Sequence, residues 1–155
     1  MIDRIEQMNE LMGFTTSDMM IKKIKEFEGL RLEAYVDAAG VMTIGYGHTG
    51  RNAERGNRIT EYYANELLRM DLDKVESQVN ALGVARTQGQ FDALVSFVFN
   101  VGIGRLKTST LLKVIRNGGS RNQIKKEFKR WVYAGGKVLK GLERRREFEA
   151  KRFFE

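Results

Sequence analysis

The fold is decided in residues 28–50, which read EGLRLEAYVDAAGVMTIGYGHTG. Before Gly29 the apolar residues recur at helical spacing, whereas in the second half of the stretch they alternate with polar or small residues. Asp37 and Gly40 stand at the first and fourth positions of a four-residue segment, where a type I turn prefers them. The stretch therefore predicts the end of a helix, followed by a small antiparallel sheet over about residues 31–59.

Glu28 lies at the end of the predicted helix, on its apolar side. Thr16 or Ser17 is predicted to cap this helix and Gly29 to end it, and its apolar residues cover an arc of roughly 120° that also holds Glu28. Burial disfavours a charged carboxyl group, and so does the negative end of the helix dipole, so Glu28 needs either a cationic partner or a proton. A carboxyl group that stays protonated near neutral pH is what a general acid requires. The alternative is a glutamate whose aliphatic stem covers the edge of the core while its head reaches water.

The rest of the chain predicts helices. Thr60 is predicted to cap a long helix over about residues 60–82, in which leucines and valines recur at spacings of three and four. Residues 91–99 are apolar nearly all round and predict a buried central helix. Further helices are predicted near residues 109–116, 120–133 and 142–154, and strands only in the first half of the chain.

These elements combine into an α+β fold, with a small antiparallel sheet lobe joined by a long helix to a larger helical lobe. We expect a single catalytic domain over residues 20–155, made of a sheet lobe over about 31–59, a connecting helix over about 60–82 and a helical lobe over about 83–155. Residues 1–19 are expected to form an N-terminal extension, in which residues 2–12 have the spacing of a short amphipathic helix.

The composition excludes several kinds of site. The 155-residue chain has no cysteine and one histidine, which excludes disulfides and thiolate metal sites, so we expect no metal and no cofactor. The formal net charge of +7 predicts attraction to a polyanion, such as nucleic acid, an acidic membrane surface or a bacterial wall. The longest nearly apolar run, residues 91–101, is too short to span a bilayer, and the first twenty residues lack the apolar core of a secretory signal. We therefore expect a protein made without a signal peptide and without an integral membrane segment.

Asp37 and Thr43 gain interest from their spacing after Glu28. Taken alone, Asp37 fits a turn residue and Thr43 an ordinary strand threonine. Together the three residues could line one cleft between helix and sheet, and two carboxylates flanking a bond are the equipment of glycoside hydrolysis. His48, a lone histidine after a glycine-rich hairpin, is more typical of a structural residue than of a catalytic one.

The same residues resemble the active-site region of the phage-type lysozymes, the endolysins of T-even and lambdoid-like phages. That family has a glutamate, eight residues, an aspartate, five residues and a threonine, and Glu28, Asp37 and Thr43 match every position and spacing. The extension before Met20 is longer than the family minimum. The resemblance covers about residues 20–155 and includes residues 59–60, 91–97, 99–102, 109–112, 130–131, 135–142 and 144–145.

This resemblance implies a lysozyme-like fold and hydrolysis of the β-1,4 bond from N-acetylmuramic acid to N-acetylglucosamine in peptidoglycan. Glu28 is expected to protonate the leaving oxygen, Asp37 to orient the attacking water and stabilise positive charge on the sugar, and Thr43 to help hold that water. Members resembling the T-even enzyme invert the anomeric centre, which needs carboxyl groups roughly 6.5 to 9.5 Å apart. We expect a monomeric enzyme of phage or prophage origin that is made in the host cytoplasm and acts on the glycan strands of the wall after release.

The resemblance also assigns residues around the carboxyl pair. His48 is expected to pair with Asp71 on the connecting helix and to act in stability. Arg144 or Arg145 is expected to contact Glu28, although three adjacent arginines usually form a solvated helix face. Four positions match residues that line the saccharide cleft, and the last of them could equally belong to the core: Thr49, Asn100, Thr110 and Phe99.

Three other functions are alternatives. A lytic transglycosylase would cleave the same bond with the muramyl 6-hydroxyl in place of water, although Asp37 and Thr43 favour water. Cationic amphipathic helices that act directly on membranes would also kill bacteria. A nucleic-acid-binding module would account for the net charge, but no segment resembles a groove-reading motif, and we expect no nucleic-acid partner. The basic residues that suggest such a module are Lys125, Lys126, Lys129, Arg130 and Trp131 beside them.

Overall fold

The computed structural model describes residues 13–155, together with Arg4 and Gln7. In this described part the chain forms seven α-helices, one three-stranded sheet and one two-stranded sheet, which confirms the predicted α+β class. The amphipathic helix predicted over residues 2–12 lies outside the described residues, apart from Arg4 and Gln7. No helix in the described part is both long and apolar enough to cross a membrane.

Helix α1 (Asp18–Glu28) begins and ends where its sequence predicts. At its start the Ser17 hydroxyl accepts a hydrogen bond from the backbone N–H of Met20 at 3.2 Å. At its end Gly29 has a φ of 72°, a left-handed value that glycine adopts without the clash of a Cβ atom. Of the two predicted caps, Thr16 and Ser17, the structure uses Ser17, and the predicted stop at Gly29 is confirmed.

A three-stranded antiparallel sheet follows α1, as predicted. Asp37 turns the chain between its first two strands: the backbone N–H of Gly40 donates to the Asp37 carbonyl at 3.0 Å, and the Asp37 N–H donates to the carbonyl of Val41 at 2.9 Å. The register then places Tyr35 opposite Thr43. The strands, in their order across the sheet, are β1 (Arg31–Val36), β2 (Met42–Gly45) and β3 (His48–Thr49).

Helix α2 (Glu61–Leu82) is shared by the two lobes. The Thr60 hydroxyl caps its start, which confirms the predicted boundary. Leu67 packs with Ile44 of the sheet lobe, whereas its neighbour Leu68 belongs to the larger core of the helical lobe. Adjacent residues of a helix point about 100° apart, so α2 contributes one face to each core.

The helical lobe is built around α3 (Gln88–Val101). This helix buries Phe91, Leu94 and Phe97 completely, which confirms the predicted central helix. The helices predicted near residues 109–116 and 142–154 are present as the second and last of the four that follow α3. These four helices are α4 (Ile103–Lys107), which was not predicted, α5 (Thr110–Arg116), α6 (Arg121–Phe128) and α7 (Lys140–Arg152), and α7 packs against α3.

A second hairpin lies in the half of the chain for which only helices are predicted. The helix predicted over residues 120–133 ends at Phe128, and the short strands β4 (Tyr133–Ala134) and β5 (Lys137–Val138) follow it. Gly135 and Gly136 join them with φ values of 57° and 79°. A Gly-Gly pair is a common two-residue hairpin connection, but its flanking strands are too short to show an alternating pattern. The prediction of strands only in the first half is therefore wrong.

Candidate active site

Glu28 places its carboxylate between the two lobes. One oxygen, Oε2, lies 2.5 Å from Nη1 of Arg145 on α7. The other, Oε1, faces Gly47 in the turn between β2 and β3 so closely that a Cβ atom on Gly47 would overlap it. The side chain is 17% exposed, so solvent reaches the carboxyl group. Glu28 thus has the cationic partner that its place on an apolar helix face requires.

Arg145, rather than Arg144, makes the predicted contact with Glu28. The Arg145 side chain is 4% exposed, and its guanidinium is fixed on both sides by Ser96 of α3. Nε donates to the Ser96 hydroxyl at 3.2 Å, and Nη2 donates to the Ser96 carbonyl at 3.1 Å. Arg144 is exposed and lines the cavity in front of Glu28. A buried arginine bonded at several points gives its carboxylate partner one orientation.

Two more buried charges, Arg146 and Glu149, stand behind Arg145, and sequence reasoning missed both. Glu149 Oε2 accepts a hydrogen bond from the Ser96 hydroxyl at 2.6 Å and lies 3.4 Å from Nε of Arg145 and 3.3 Å from Nη2 of Arg146. Burial raises the pKa of the Glu149 carboxyl, and Arg146, Arg145 and the Ser96 hydroxyl oppose that rise. Burial lowers the pKa of Arg146, and Glu149 opposes that fall. Each charge is therefore tolerated in the interior because of the others.

A cavity of about 380 Å³ opens in front of Glu28. Asn100, at the end of α3, lines this cavity together with Glu28 and Arg145. Arg146 holds Asn100, because its Nη2 donates to the amide oxygen Oδ1 at 2.8 Å. The structure therefore brings together two predicted site residues, Glu28 and Asn100, and holds each through one of two adjacent arginines of α7.

Asp37 is half-buried in the turn between β1 and β2. Its Oδ1 accepts hydrogen bonds from the backbone N–H groups of Ala39 at 2.9 Å and Val41 at 2.8 Å, as expected of a turn aspartate. Within residues 13–155, Oδ2 has no hydrogen-bond partner, so this oxygen can act on a water molecule or a ligand. The second hairpin approaches the same turn: a Cβ atom on Gly135 would lie 3.9 Å from the carbonyl oxygen of Ala38.

Tyr35 lies within electrostatic range of both carboxylates. Burial raises the pKa of its phenol above the ordinary value of 10.0, and Glu28 raises it further. Arg31, whose guanidinium lies 4.3 Å from the centre of the Tyr35 ring, lowers this pKa, and Asp37 adds a smaller rise. Tyr35 is absent from the predicted site residues, because strand alternation alone does not separate a site tyrosine from an ordinary strand tyrosine.

Thr43 and Thr49 lie side by side on β2 and β3. Thr43 is 3% exposed, and its hydroxyl donates to the carbonyl of Val41 at 2.9 Å. A hydroxyl group donates one proton and keeps two lone pairs, so the Thr43 oxygen can still accept a hydrogen bond from water. Thr49 is exposed at the end of its strand.

The other two predicted cleft residues lie on the helical lobe. Phe99 is half-buried and packs against the main core, which favours its alternative interpretation as a core residue. Thr110 is exposed at the start of α5 and lines a separate cavity of about 370 Å³ with Trp131. The structure thus places Thr110 outside the cavity that Glu28 and Asn100 share.

His48 joins β3 to α2. Its Nδ1 lies 2.8 Å from Oδ2 of Asp71, and its Nε2 lies 2.7 Å from the carbonyl oxygen of Arg51. The ring thus lies between a carboxylate of α2 and a backbone carbonyl of the loop after β3. The pairing of His48 with Asp71 is the one expected from the resemblance, and it connects elements of the fold rather than groups of the cavity.

The chemistry that this site supports is acid–base chemistry on a bond placed between the lobes. Glu28 is an oriented carboxyl group, and the neighbouring sheet offers a carboxylate oxygen on Asp37 and a hydroxyl oxygen on Thr43, although neither of these two residues lines the cavity of Glu28. In the part of the chain that the structure describes, no group of three or more histidine, cysteine, aspartate or glutamate side chains is placed to hold a metal ion.

Comparisons with known proteins point to one family. The chain is 47% identical over 136 residues to an endolysin of Bacillus phage B103, which covers 86% of this chain and 51% of that relative. The chain thus spans about half the length of that relative. Among solved structures, it is similar to the muramidase domain of SpmX from Asticaccaulis excentricus, at 37% identity and a TM-score of 0.78, over 91% of this chain and 98% of that one.

A second solved structure has the same fold over nearly its whole length. It is an endolysin from Escherichia coli O157:H7 phage FAHEc1, at 35% identity and a TM-score of 0.75, with 92% of this chain and 94% of that chain covered. The sequence model of the phage lysozyme family matches residues 25–149, a range that contains Glu28, Asp37, Thr43 and Arg145. The chain therefore belongs to the phage lysozyme family.

Proposed function

We propose that this chain is a lysozyme that hydrolyses the β-1,4 bond from N-acetylmuramic acid to N-acetylglucosamine in peptidoglycan. The setting of Glu28 carries the proposal: its carboxyl group is held at one oxygen by the buried Arg145 and opens into a cavity of about 380 Å³. Similar proteins bear the names endolysin and muramidase. Glycoside hydrolysis needs a second carboxylate, and Asp37, in the turn between β1 and β2, would provide it.

In this mechanism Glu28 is the general acid. Its proton passes to the glycosidic oxygen as the bond from that oxygen to the anomeric carbon breaks. A water molecule attacks the anomeric carbon from the opposite face and gives its proton to Oδ2 of Asp37, whose charge also stabilises the developing positive charge on the sugar. Thr43 accepts a hydrogen bond from the same water. This route inverts the anomeric centre and requires a carboxyl separation of roughly 6.5 to 9.5 Å in the substrate complex.

The remaining polar groups of the cleft would bind the glycan strand. Asn100 shares the cavity with Glu28, whereas Thr49 and Thr110 lie on the sheet lobe and the helical lobe and would contact sugars farther from the cleaved bond. The net charge of +7 favours a polyanionic wall as the place of action. We propose that residues 20–155 act as one monomeric catalytic domain on that wall.

Digestion of purified peptidoglycan tests the activity and the acid together. Hydrolysis gives muropeptides with hydrated reducing ends, whereas a lytic transglycosylase gives anhydromuramyl ends that are lighter by one water in the mass spectrum. Glu28→Gln is expected to abolish wall cleavage, and Glu33→Gln, a change at an exposed strand glutamate, is expected to leave it intact. Wall cleavage by Glu28→Gln would overturn the assignment, and killing without cleavage would favour membrane action.

The stereochemistry has its own test. Proton NMR of soluble glycan strands during the first turnovers shows which anomer is released before mutarotation mixes them. Inversion at a β-linked bond predicts the α anomer first, whereas a β anomer would indicate a retaining route with Asp37 as nucleophile.

A further inference from the structure

We propose that Glu149 is a positioning residue that fixes two side chains of the catalytic cavity at once, Glu28 through Arg145 and Asn100 through Arg146. Glu149 has no exposed surface and reaches neither the cavity nor a substrate, so its effect on the reaction is transmitted by the two arginines. The inference rests on the proposed function, because it takes Glu28 as the acid and Asn100 as a substrate-binding residue.

The first connection runs through Arg145. Two of its three guanidinium nitrogens contact Ser96 and Glu149. Nε donates to the Ser96 hydroxyl and lies 3.4 Å from Glu149, and Nη2 donates to the Ser96 carbonyl. Only Nη1 is left, and it points to Oε2 of Glu28. An arginine side chain has many rotamers, and a fixed direction for Nη1 requires that the other nitrogens be held.

The second connection runs through Arg146. Its Nη2 lies 3.3 Å from Oε2 of Glu149 and 2.8 Å from Oδ1 of Asn100. Because a guanidinium only donates, the Asn100 amide must turn its oxygen toward Arg146. The amide N–H groups are then left for the cavity, where they can donate to a carbonyl oxygen such as that of an N-acetyl group.

The charges explain why one carboxylate controls both arginines. Glu149 supplies one negative charge to two buried guanidinium groups, and the carboxyl group of Glu28 is their other acidic partner. If Glu149 becomes neutral, two adjacent buried cations share only the partly exposed Glu28, and repulsion between them favours displacement of one or both. Displacement of Arg145 would misplace Glu28, and displacement of Arg146 would release Asn100.

The same two helices provide a matched control. Asp92 on α3 is also fully buried, and it is bonded to a serine hydroxyl, that of Ser17, at 2.5 Å and to an arginine, Arg152 of α7, at 2.8 Å. None of these three residues lines the cavity of Glu28. Asp92→Asn therefore removes a buried negative charge from the same helix pair without touching the proposed connections.

Kinetics on soluble, uncross-linked glycan strands tests the proposal, with unfolding measured for each variant. Glu149→Gln is expected to lower kcat by about tenfold to a hundredfold and to raise KM several-fold, because misplacement of about 1 Å has effects of that size. Asp92→Asn is expected to lose stability but to keep kcat and KM within about twofold. In an Asn100→Ala background, Glu149→Gln is expected to lower kcat without a further rise of KM.

The outcomes separate the inference from the proposed function. Wild-type kcat and KM in Glu149→Gln, or an equal loss in Asp92→Asn, would overturn the positioning role, and a further KM rise in the Asn100→Ala background would overturn the connection through Arg146. If Glu149→Gln does not fold, Ser96→Ala tests the positioning role instead, because it removes the hydroxyl that binds both Arg145 and Glu149. This variant is expected to lower kcat by about threefold. An unchanged kcat would overturn the inference. An active Glu28→Gln would overturn the proposed function itself.

Discussion

Helices α3 and α7 are joined by two buried carboxylate clusters that use the same kinds of side chain but balance their charges differently. In the cluster of Asp92, one carboxylate meets one guanidinium, that of Arg152. In the cluster of Glu149, one carboxylate meets two guanidinium groups, those of Arg145 and Arg146. The first cluster pairs its one carboxylate with one guanidinium, whereas the second has one guanidinium more than it has carboxylates, and that guanidinium contacts Glu28.

The difference separates stability from function. A change in the cluster of Asp92 is expected to lower the free energy of unfolding and to leave the cavity undisturbed, because neither Asp92 nor Arg152 contacts a residue that lines it. A cluster with an excess charge attracts a partner from outside, and here that partner is the carboxyl group proposed as the acid. The comparison predicts that equivalent changes in the two clusters have different consequences.

Removal of one arginine from each cluster is expected to give the largest difference between the two clusters. Arg152→Ala leaves the fully buried Asp92 without its cation and is expected to lower the free energy of unfolding by about 3 kcal/mol, with unchanged kcat per folded molecule. Arg145→Ala is expected to lower kcat by about a hundredfold, because Glu28 loses the group that orients it. Denaturant unfolding and kcat on glycan strands measure both, and a kcat loss in Arg152→Ala would show that the clusters do not differ.

Gly47, in the turn between β2 and β3, offers a second test of whether Glu28 must have a fixed position. Gly47→Ala is expected to lower kcat by about tenfold, because its Cβ atom would overlap the Glu28 carboxylate. The matched control is Gly50→Ala, which has a similar positive φ, 90° against 77°, but open space around its Cβ position. Both changes are expected to lose about 1 to 2 kcal/mol of stability from backbone strain. Equal kcat values for the two variants would argue against the need for a fixed Glu28.

Asp71 extends the comparison to a side-chain contact between β3 and α2. Its Oδ2 lies 2.8 Å from Nδ1 of His48, and neither residue lines the cavity of Glu28. Asp71→Asn is therefore expected to behave like a change in the Asp92 cluster, with a loss of about 1 to 2 kcal/mol in unfolding free energy and no change in kcat. A thermal unfolding curve and a lysis assay suffice, and a loss of lysis beyond the loss of folded protein would place this pair in the site.

The pKa of the Tyr35 phenol is expected to change least, but it reports directly on the charges of Glu28 and Asp37. Its pKa is raised by burial and by the negative charges of Glu28 and Asp37, so removal of either charge is expected to lower it toward 10.0, and Glu28→Gln more than Asp37→Asn. Spectrophotometric titration, with Tyr35→Phe subtracted to isolate this phenol from the other four tyrosines, measures the shift. An unchanged titration in both variants would mean that the carboxylates do not share its surroundings.

Local signals in the sequence predicted much of this fold. The caps at Ser17 and Thr60, the stop at Gly29 and the turn at Asp37 each depend on a side chain and its immediate neighbours, and each is present. The need of Glu28 for a partner also followed from its place on one helix face. Such features require no knowledge of distant parts of the chain.

The buried cluster of Glu149 could not be predicted in this way. The sequence of α7, KGLERRREFEAKR, is rich in charge, and a charged helix is typical of a solvated face. Its buried side is polar because Ser96, 49 residues before Arg145, and Glu28, 117 residues before it, supply partners that no local pattern shows. Tyr35 was missed because strand alternation does not distinguish a site tyrosine from an ordinary one, and the second hairpin because its strands have two residues each.

Helix α2 has a consequence for how the molecule comes apart. Leu67 and Leu68 are neighbours in the chain, yet they belong to two different hydrophobic cores. If one lobe unfolds, one face of α2 becomes exposed while its other face is still packed. The loss of either core therefore destabilises a helix on which the other core depends. Because one helix belongs to both cores, we expect the two lobes to unfold together in one cooperative transition.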